Sequence, residues 1–343
     1  MTDTVAPAPP SARAAEPGPS DIRALYAPIR ADLDRLEVEL ERLTADSHPL
    51  IREAAAYVVR NSGKRLRPAL LILSARMAGY RGEDHLVLSA LVEVIHTASL
   101  IHDDLIDNAD LRRGRETSHL RWGAQVSVLL GDFLYIKALQ LSLDFKDGRI
   151  VRSLARASAR MIEGVLMECA ISRDPATSEA AYLEVVGKKT AALFEAGCSI
   201  GGILGGLPQE SIDALARFGA GVGTTFQIVD DLLDFTGDPG DLGKPVLSDL
   251  AEGRITLPLI AALRRAAPAR RERIASLIRG GTFSPAARDE ILSFVTSNGA
   301  LDETRRLAAS RIEEALPCLD SFPVSVYKES LRGLAAFILD RTY

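Results

Sequence analysis

Aromatic residues are scarce in this chain: Phe, Tyr and Trp together supply 5% of 343 residues, with a single Trp. Broad sheets draw on aromatic and β-branched side chains, and no alternating, turn-bounded run of that kind occurs. Cysteine is scarce too. Cys169, Cys198 and Cys318 are odd in number and form no CxxC, which argues against a disulfide framework and for thiols in a reducing compartment. No cationic excess is present: 41 Lys and Arg face 46 Asp and Glu, a net charge of −5, so the basic field of a nucleic-acid binder is missing. No apolar run reaches the length of a bilayer span. The N-terminus lacks the basic-then-apolar order of a signal peptide. A cytoplasmic protein is expected.

What the chain does have is Ala, Leu and helical periodicity. Apolar residues make up 47% and charged ones 25%, normal for a globular protein. Residues 1–20 are rich in Pro, Ala and Ser and read as a disordered tail. Beyond them helical patterns succeed one another, over 21–43, 49–59, 67–77, 84–107, 122–144, 149–172, 179–205, 209–235, 255–266, 269–279, 284–297, 301–316 and 325–341. Gly and Pro punctuate the gaps. Pro68 falls in a first turn, where its missing N–H does no harm. The 84–107 stretch is apolar on all sides and belongs at the centre of a bundle. The expected fold is all-α, with 21–343 as one large helical domain.

Two acidic clusters of identical spacing stand out: Asp103-Asp104-Leu105-Ile106-Asp107 and Asp230-Asp231-Leu232-Leu233-Asp234. Each closes an apolar helix. Positions i, i+1 and i+4 lie close together on a helix, and three carboxylates there need neutralising. One such motif is equally well an exposed acidic helix end. Two, each followed by a loop with Gly and a basic residue (108–114 and 241–245), point to Mg²⁺, which takes carboxylate oxygens and completes its shell with water and substrate phosphates. Facing motifs would bracket a diphosphate.

Basic groups accompany them: Gly63-Lys64-Arg65-Leu66-Arg67-Pro68, Arg112-Arg113, Lys188-Lys189-Thr190, Lys244 and Arg254. Such groups suit phosphate, although singly each is more often a solvated surface charge. Together the stretches GKRLRP (63–68), EVIHTASLIHDDLIDNADLRRG (93–114), GKKT (187–190), FQIVDDLLDFTGDPGDLGKP (226–245) and EGRITLP (252–258) resemble the trans-isoprenyl diphosphate synthase family.

The resemblance implies an all-α homodimer that joins isopentenyl diphosphate to an allylic diphosphate, head to tail. Asp103, Asp104, Asp107, Asp230, Asp231 and Asp234 would hold Mg²⁺, three ions per site, against the allylic diphosphate. Arg112, Lys189, Lys244 and, more weakly, Arg254 would grip the same group. Lys64, Arg67, His96 and Arg113 match the metal-free isopentenyl diphosphate site. Thr190 and Gln227 would set oxygens near the developing cation. His102 reads as a hydrogen-bonded core residue, and Phe226 and Asp249 as neighbours of the site that are equally well structural.

Ala98 and Ser99, one to two turns before Asp103, would line the tunnel for the growing chain. In this family aromatic residues there close the tunnel early, and both side chains here are small. A long-chain product is expected, roughly the C35–C50 class, its tail shielded from water. A bulky floor from Phe133, Leu134, Tyr135 or Leu139 would instead leave a farnesyl or geranylgeranyl synthase. A non-catalytic partner subunit would lose one motif, and a terpene cyclase would replace the second one and line its pocket with aromatics. Neither pattern fits.

Overall fold

The computed structural model describes residues 21–60, 63–237 and 246–341. After short helical turns at 22–29, the helices are α1 Arg30–Arg42, α2 Pro49–Arg60, α3 Leu66–Met77, α4 Asp84–Ile106, α5 Ala124–Ser142, α6 Gly148–Ala170, α7 Glu179–Val186, α8 Ala192–Leu204 and α9 Gln209–Thr236. Then come α10 Leu257–Arg265, α11 Pro268–Gly280, α12 Pro285–Thr296, α13 Ala300–Ala315 and α14 Val326–Asp340. The all-α expectation holds. The exception is a two-residue ribbon, β1 Leu111–Arg112 against β2 Arg115–Glu116, turned by Arg113 and Gly114 at positive φ.

Helix α4 is the axis of the bundle. Its apolar residues, with Leu88, Leu91, Ile95 and Ala98 fully buried, pack among α1, α2, α5, α6 and α8. By length and composition α4 would pass as a membrane span, so the expectation that no segment reaches that length is corrected. Yet 72% of the qualifying window is buried inside the protein. Two further apolar clusters join it: one ties α7 and the end of α9 to α10–α13, the other packs α3, α8, α9, α13 and α14.

The stretch expected as one helix over 179–205 is broken in register. Between α7 and α8 lies a π-helical turn, Gly187–Ala191, a local widening that recurs at functional sites. Gly164 lets α6 reach this turn, because a Cβ there would stand 2.5 Å from the Lys189 backbone nitrogen. Similarly the 122–144 helix is split, as Gly123 at φ 84 separates a short Ser118–Trp122 turn from α5.

Candidate active site

Both acidic triads close helix C-termini, α4 and α9. A helix C-terminus already carries partial negative charge, so each end concentrates a field that calls for cations. In the first triad, Asp104 is nearly fully buried and accepts a 2.6 Å hydrogen bond from Arg112 Nε. The β-ribbon is what turns Arg112 back toward α4. Asp107 accepts from Arg254 Nη1 at 2.9 Å. Burial pushes the Asp103 carboxyl upward, with Lys189 opposing. Burial likewise raises Asp104 against the pull of Arg112.

In the second triad the three carboxylates have different surroundings. Asp230 is the more open one and is held from outside by Arg341. Asp231 is buried: its Oδ2 accepts from Tyr182 Oη at 2.6 Å and its Oδ1 from Gln227 Nε2 at 2.8 Å. Burial and then Asp249 push its pKa up to about 7. Asp234 is also buried, accepting from Ser248 Oγ at 2.7 Å and from the Asp249 backbone N–H at 3.2 Å. The three carboxylates of the second triad, expected to hold Mg²⁺ directly or through water, thus differ in their surroundings. Asp231 and Asp234 are occupied by protein donors behind the wall, while Asp230 faces outward.

Arg254 joins the two walls. One guanidinium nitrogen reaches Asp107, and the other reaches Asp249 at 2.8 Å and also Glu252. Lys189, expected at the diphosphate, lies between the walls. It bonds Glu168 at 2.5 Å, and although burial favours its neutral form, Asp103 and Glu168 raise its pKa. Lys188 points outward to Glu163. Thr190 and Gln227 meet, with Thr190 Oγ1 donating to Gln227 Oε1 at 2.8 Å. Gly223 permits that approach, since a Cβ there would lie 2.8 Å from the Ala191 Cα. Among the described residues no three acidic, His or Cys side chains converge tightly enough to hold an ion as they stand. The buried carboxylates with raised pKa and the two negative helix ends nonetheless fit divalent cations that would displace Arg254 and Arg341.

The second basic set also assembles. Burial, then Arg67, Arg112, Arg113 and Arg65, push His96 well below its ordinary pKa, so it is a neutral donor amid cations. Burial, then Arg341 and Arg113, lower Lys64. Arg67 lies over the Phe194 ring at 4.5 Å, its pKa lowered to about 10 by burial. Its Nε is buried without a partner, an orphan donor suited to an anion. Lys244 lies outside the described residues.

Of the two residues expected to line the tunnel, Ala98 is fully enclosed by core side chains. Ser99 is half-buried and donates to the His96 carbonyl at 2.8 Å, near Tyr135, whose hydroxyl pKa burial and then Asp103 push upward. His102 is hydrogen-bonded as expected, to the Val128 carbonyl at 3.2 Å, but it is not in the core. It stacks on Tyr135 at 6.0 Å, about a quarter exposed.

Sequence reasoning missed Tyr182, Glu168 and Arg341. Arg341 lies over the Phe226 ring at 4.3 Å and donates to the Phe226 carbonyl at 3.3 Å. Nothing local marks it, because it comes after the end of α14, 111 residues from Asp230. The pairing of Glu168 with Lys189 likewise joins separate elements 21 residues apart, beyond the reach of any spacing within one helix.

The model of the polyprenyl synthetase family matches residues 48–295. Octaprenyl diphosphate synthase of Haemophilus influenzae is 38% identical over 316 residues, covering 91% of this chain and 95% of that one. A solved polyprenyl synthase from Caulobacter crescentus, complexed with calcium and isoprenyl diphosphate, superposes with a TM-score of 0.90 at 34% identity, covering 96% and 100% of the two chains. A decaprenyl diphosphate synthase from Rhodobacter capsulatus gives 0.89 at 36% identity, covering 94% and 100%.

Proposed function

The chain belongs to the polyprenyl synthetase family, and we propose that it joins isopentenyl diphosphate to an allylic diphosphate to build a long-chain all-trans polyprenyl diphosphate. The observation that carries this reading is the pairing of two acidic helix ends across Arg254 and Lys189 with a separate cationic set holding an unpartnered Arg67 donor. Relatives named for eight and ten prenyl units support the long product.

Asp103, Asp104, Asp107 and Asp230 would hold three Mg²⁺ ions, with Asp231 and Asp234 positioning the wall. Mg²⁺, when bound, supplies Lewis-acid stabilisation of the departing diphosphate. Arg112 and Lys189 leave Asp104 and Glu168 to grip that diphosphate, joined by Lys244. Lys64, Arg67, His96 and Arg113 hold the isopentenyl diphosphate by charge and hydrogen bonds alone. Thr190 and Gln227 fix carbonyl and hydroxyl dipoles beside the developing allylic cation, which the isopentenyl double bond attacks. A proton then leaves to the released diphosphate.

Residues 21–343 act as one catalytic unit in the cytoplasm. Half or more of the surface of Leu129, Ile136, Ile162 and Leu166 on α5 and α6 is exposed; these neighbouring helices offer the apolar face of a homodimer. The test is mass spectrometry of the product from farnesyl plus isopentenyl diphosphate, with and without EDTA. Elongation past twenty carbons that chelation abolishes is expected. Activity in chelator, or a product that stops at fifteen or twenty carbons, overturns the metal role or the long chain respectively.

A further inference from the structure

Helix α6 carries Arg149, Arg152, Arg156 and Arg160 at spacings of three and four, which places them on one face. That face is one wall of a cleft of about 260 Å³, floored by Ala192, Ala196 and Ser199 of α8 and closed by the first turns of α9. Two of the four arginines are engaged. Arg160 bonds Glu195 at 2.6 Å and Arg149 bonds Asp147 at 2.7 Å. On the opposite wall Asp213 accepts from Gln209 Nε2 at 2.8 Å. Arg152 and Arg156 are exposed; Arg152 feels Asp147 by charge alone, and among the described residues neither makes a hydrogen bond or close ion pair. Two like charges a turn apart destabilise a helix, and a bound anion relieves them.

The position of the cleft indicates which anion. Along α6, Arg152 is sixteen residues from Glu168, the partner of Lys189, or about 24 Å at the helical rise. Along α9, Asp213 is about 26 Å from Asp230 by the same rise. The cleft thus lies toward the end of the bundle opposite the acidic walls. The turn beside it, between α5 and α6, exposes Leu143 by 68% and also exposes Asp144 and Lys146. An exposed leucine on the turn that leads into a face of four arginines, in a chain whose net charge is −5, fits an anionic bilayer surface better than a free solute.

We propose that this cleft docks phosphate headgroups of an anionic phospholipid membrane. The tail of a long product grows away from the acidic walls, so this contact would set its emerging end against the lipid. That last step rests on the long-chain reading; headgroup binding does not.

The test is co-sedimentation of the full chain with phosphatidylcholine vesicles, with and without phosphatidylglycerol, at low and high salt. Binding is expected only with the anionic lipid, weakening as salt rises. R152Q/R156Q should lower partitioning about thirtyfold, from the usual contribution of each basic residue near such a surface, and R152E/R156E should abolish it. Both variants should keep their turnover of soluble substrates. Equal binding to neutral vesicles, unchanged partitioning in the variants, or arginine-dependent binding of inorganic diphosphate without vesicle binding would each overturn the proposal. A short product together with intact vesicle binding would instead overturn the long-chain reading alone.

Discussion

Replacing Arg254 with Gln tests the electrostatics of the two walls without relying on turnover. Arg254 is one-fifth exposed, and its partners Asp107, Asp249 and Glu252 are 22%, 10% and 27% exposed. Burial opposes the charge of Arg254, but these carboxylates outweigh it and raise its pKa. Removing one member of a buried pair costs about 3–5 kcal/mol, and partial solvent access reduces that to about 2–3 here. For a chain of this size that is a fall in Tm of about 3–4 °C. Divalent metal would neutralise the same carboxylates, so millimolar Mg²⁺ should restore more Tm in Arg254→Gln than in the parent. The assay is thermal unfolding with EDTA or Mg²⁺ at about pH 8, where proton uptake by Glu252, already raised by burial, does not mask the effect. A variant as stable as the parent in EDTA, or a metal response identical in both, would refute the reasoning.

Three further outcomes are expected. Ala98→Phe, at a fully buried position, should cost about 1–3 kcal/mol by overpacking, whereas Ser99→Phe, beside Tyr135, should shorten the product with little loss of Tm; mass spectrometry and thermal melts separate the two. Ile162→Glu/Leu166→Glu should convert a dimer to monomer in light scattering. Asp32, which Arg76 grips through two bonds at 2.8 and 3.0 Å, feels burial that would raise its pKa, but Arg76 and His85 outweigh it and lower it. Its stabilising effect is therefore complete above the ordinary value of 3.8 and is lost as pH falls through the depressed value, so the stability gap between the parent and Asp32→Asn, read from urea melts, should close in acid and stay open at neutral pH.

The helical architecture was legible because its signals are periodic and local. The apolar continuity of α4 and the twin acidic ends of α4 and α9 required nothing from elsewhere in the chain. Gln227 was legible for the same reason: it lies one turn before Asp231 and bonds it. Burial was not legible. The spacing of Asp230, Asp231 and Asp234 does not tell their surroundings apart, and only the packing of Tyr182 and Ser248 against two of them does. Ala98 and Ser99 are neighbours in sequence, yet a rotation of one residue sends one into the core and the other toward Tyr135. Arg341 comes from a distant segment, and no periodicity in the chain foreshadows its meeting with Phe226 and Asp230.

The widened turn at Gly187–Ala191 sets an angular phase. Shortening the chain there by a single residue would let α7 and α8 run on as one regular rod, and α7 would swing by about 100° relative to α8. Tyr182 would lose sight of Asp231, and Lys189 would no longer lie between the walls. The spare residue works as a key cut into the helix, and the chemistry of two distant segments depends on its being there.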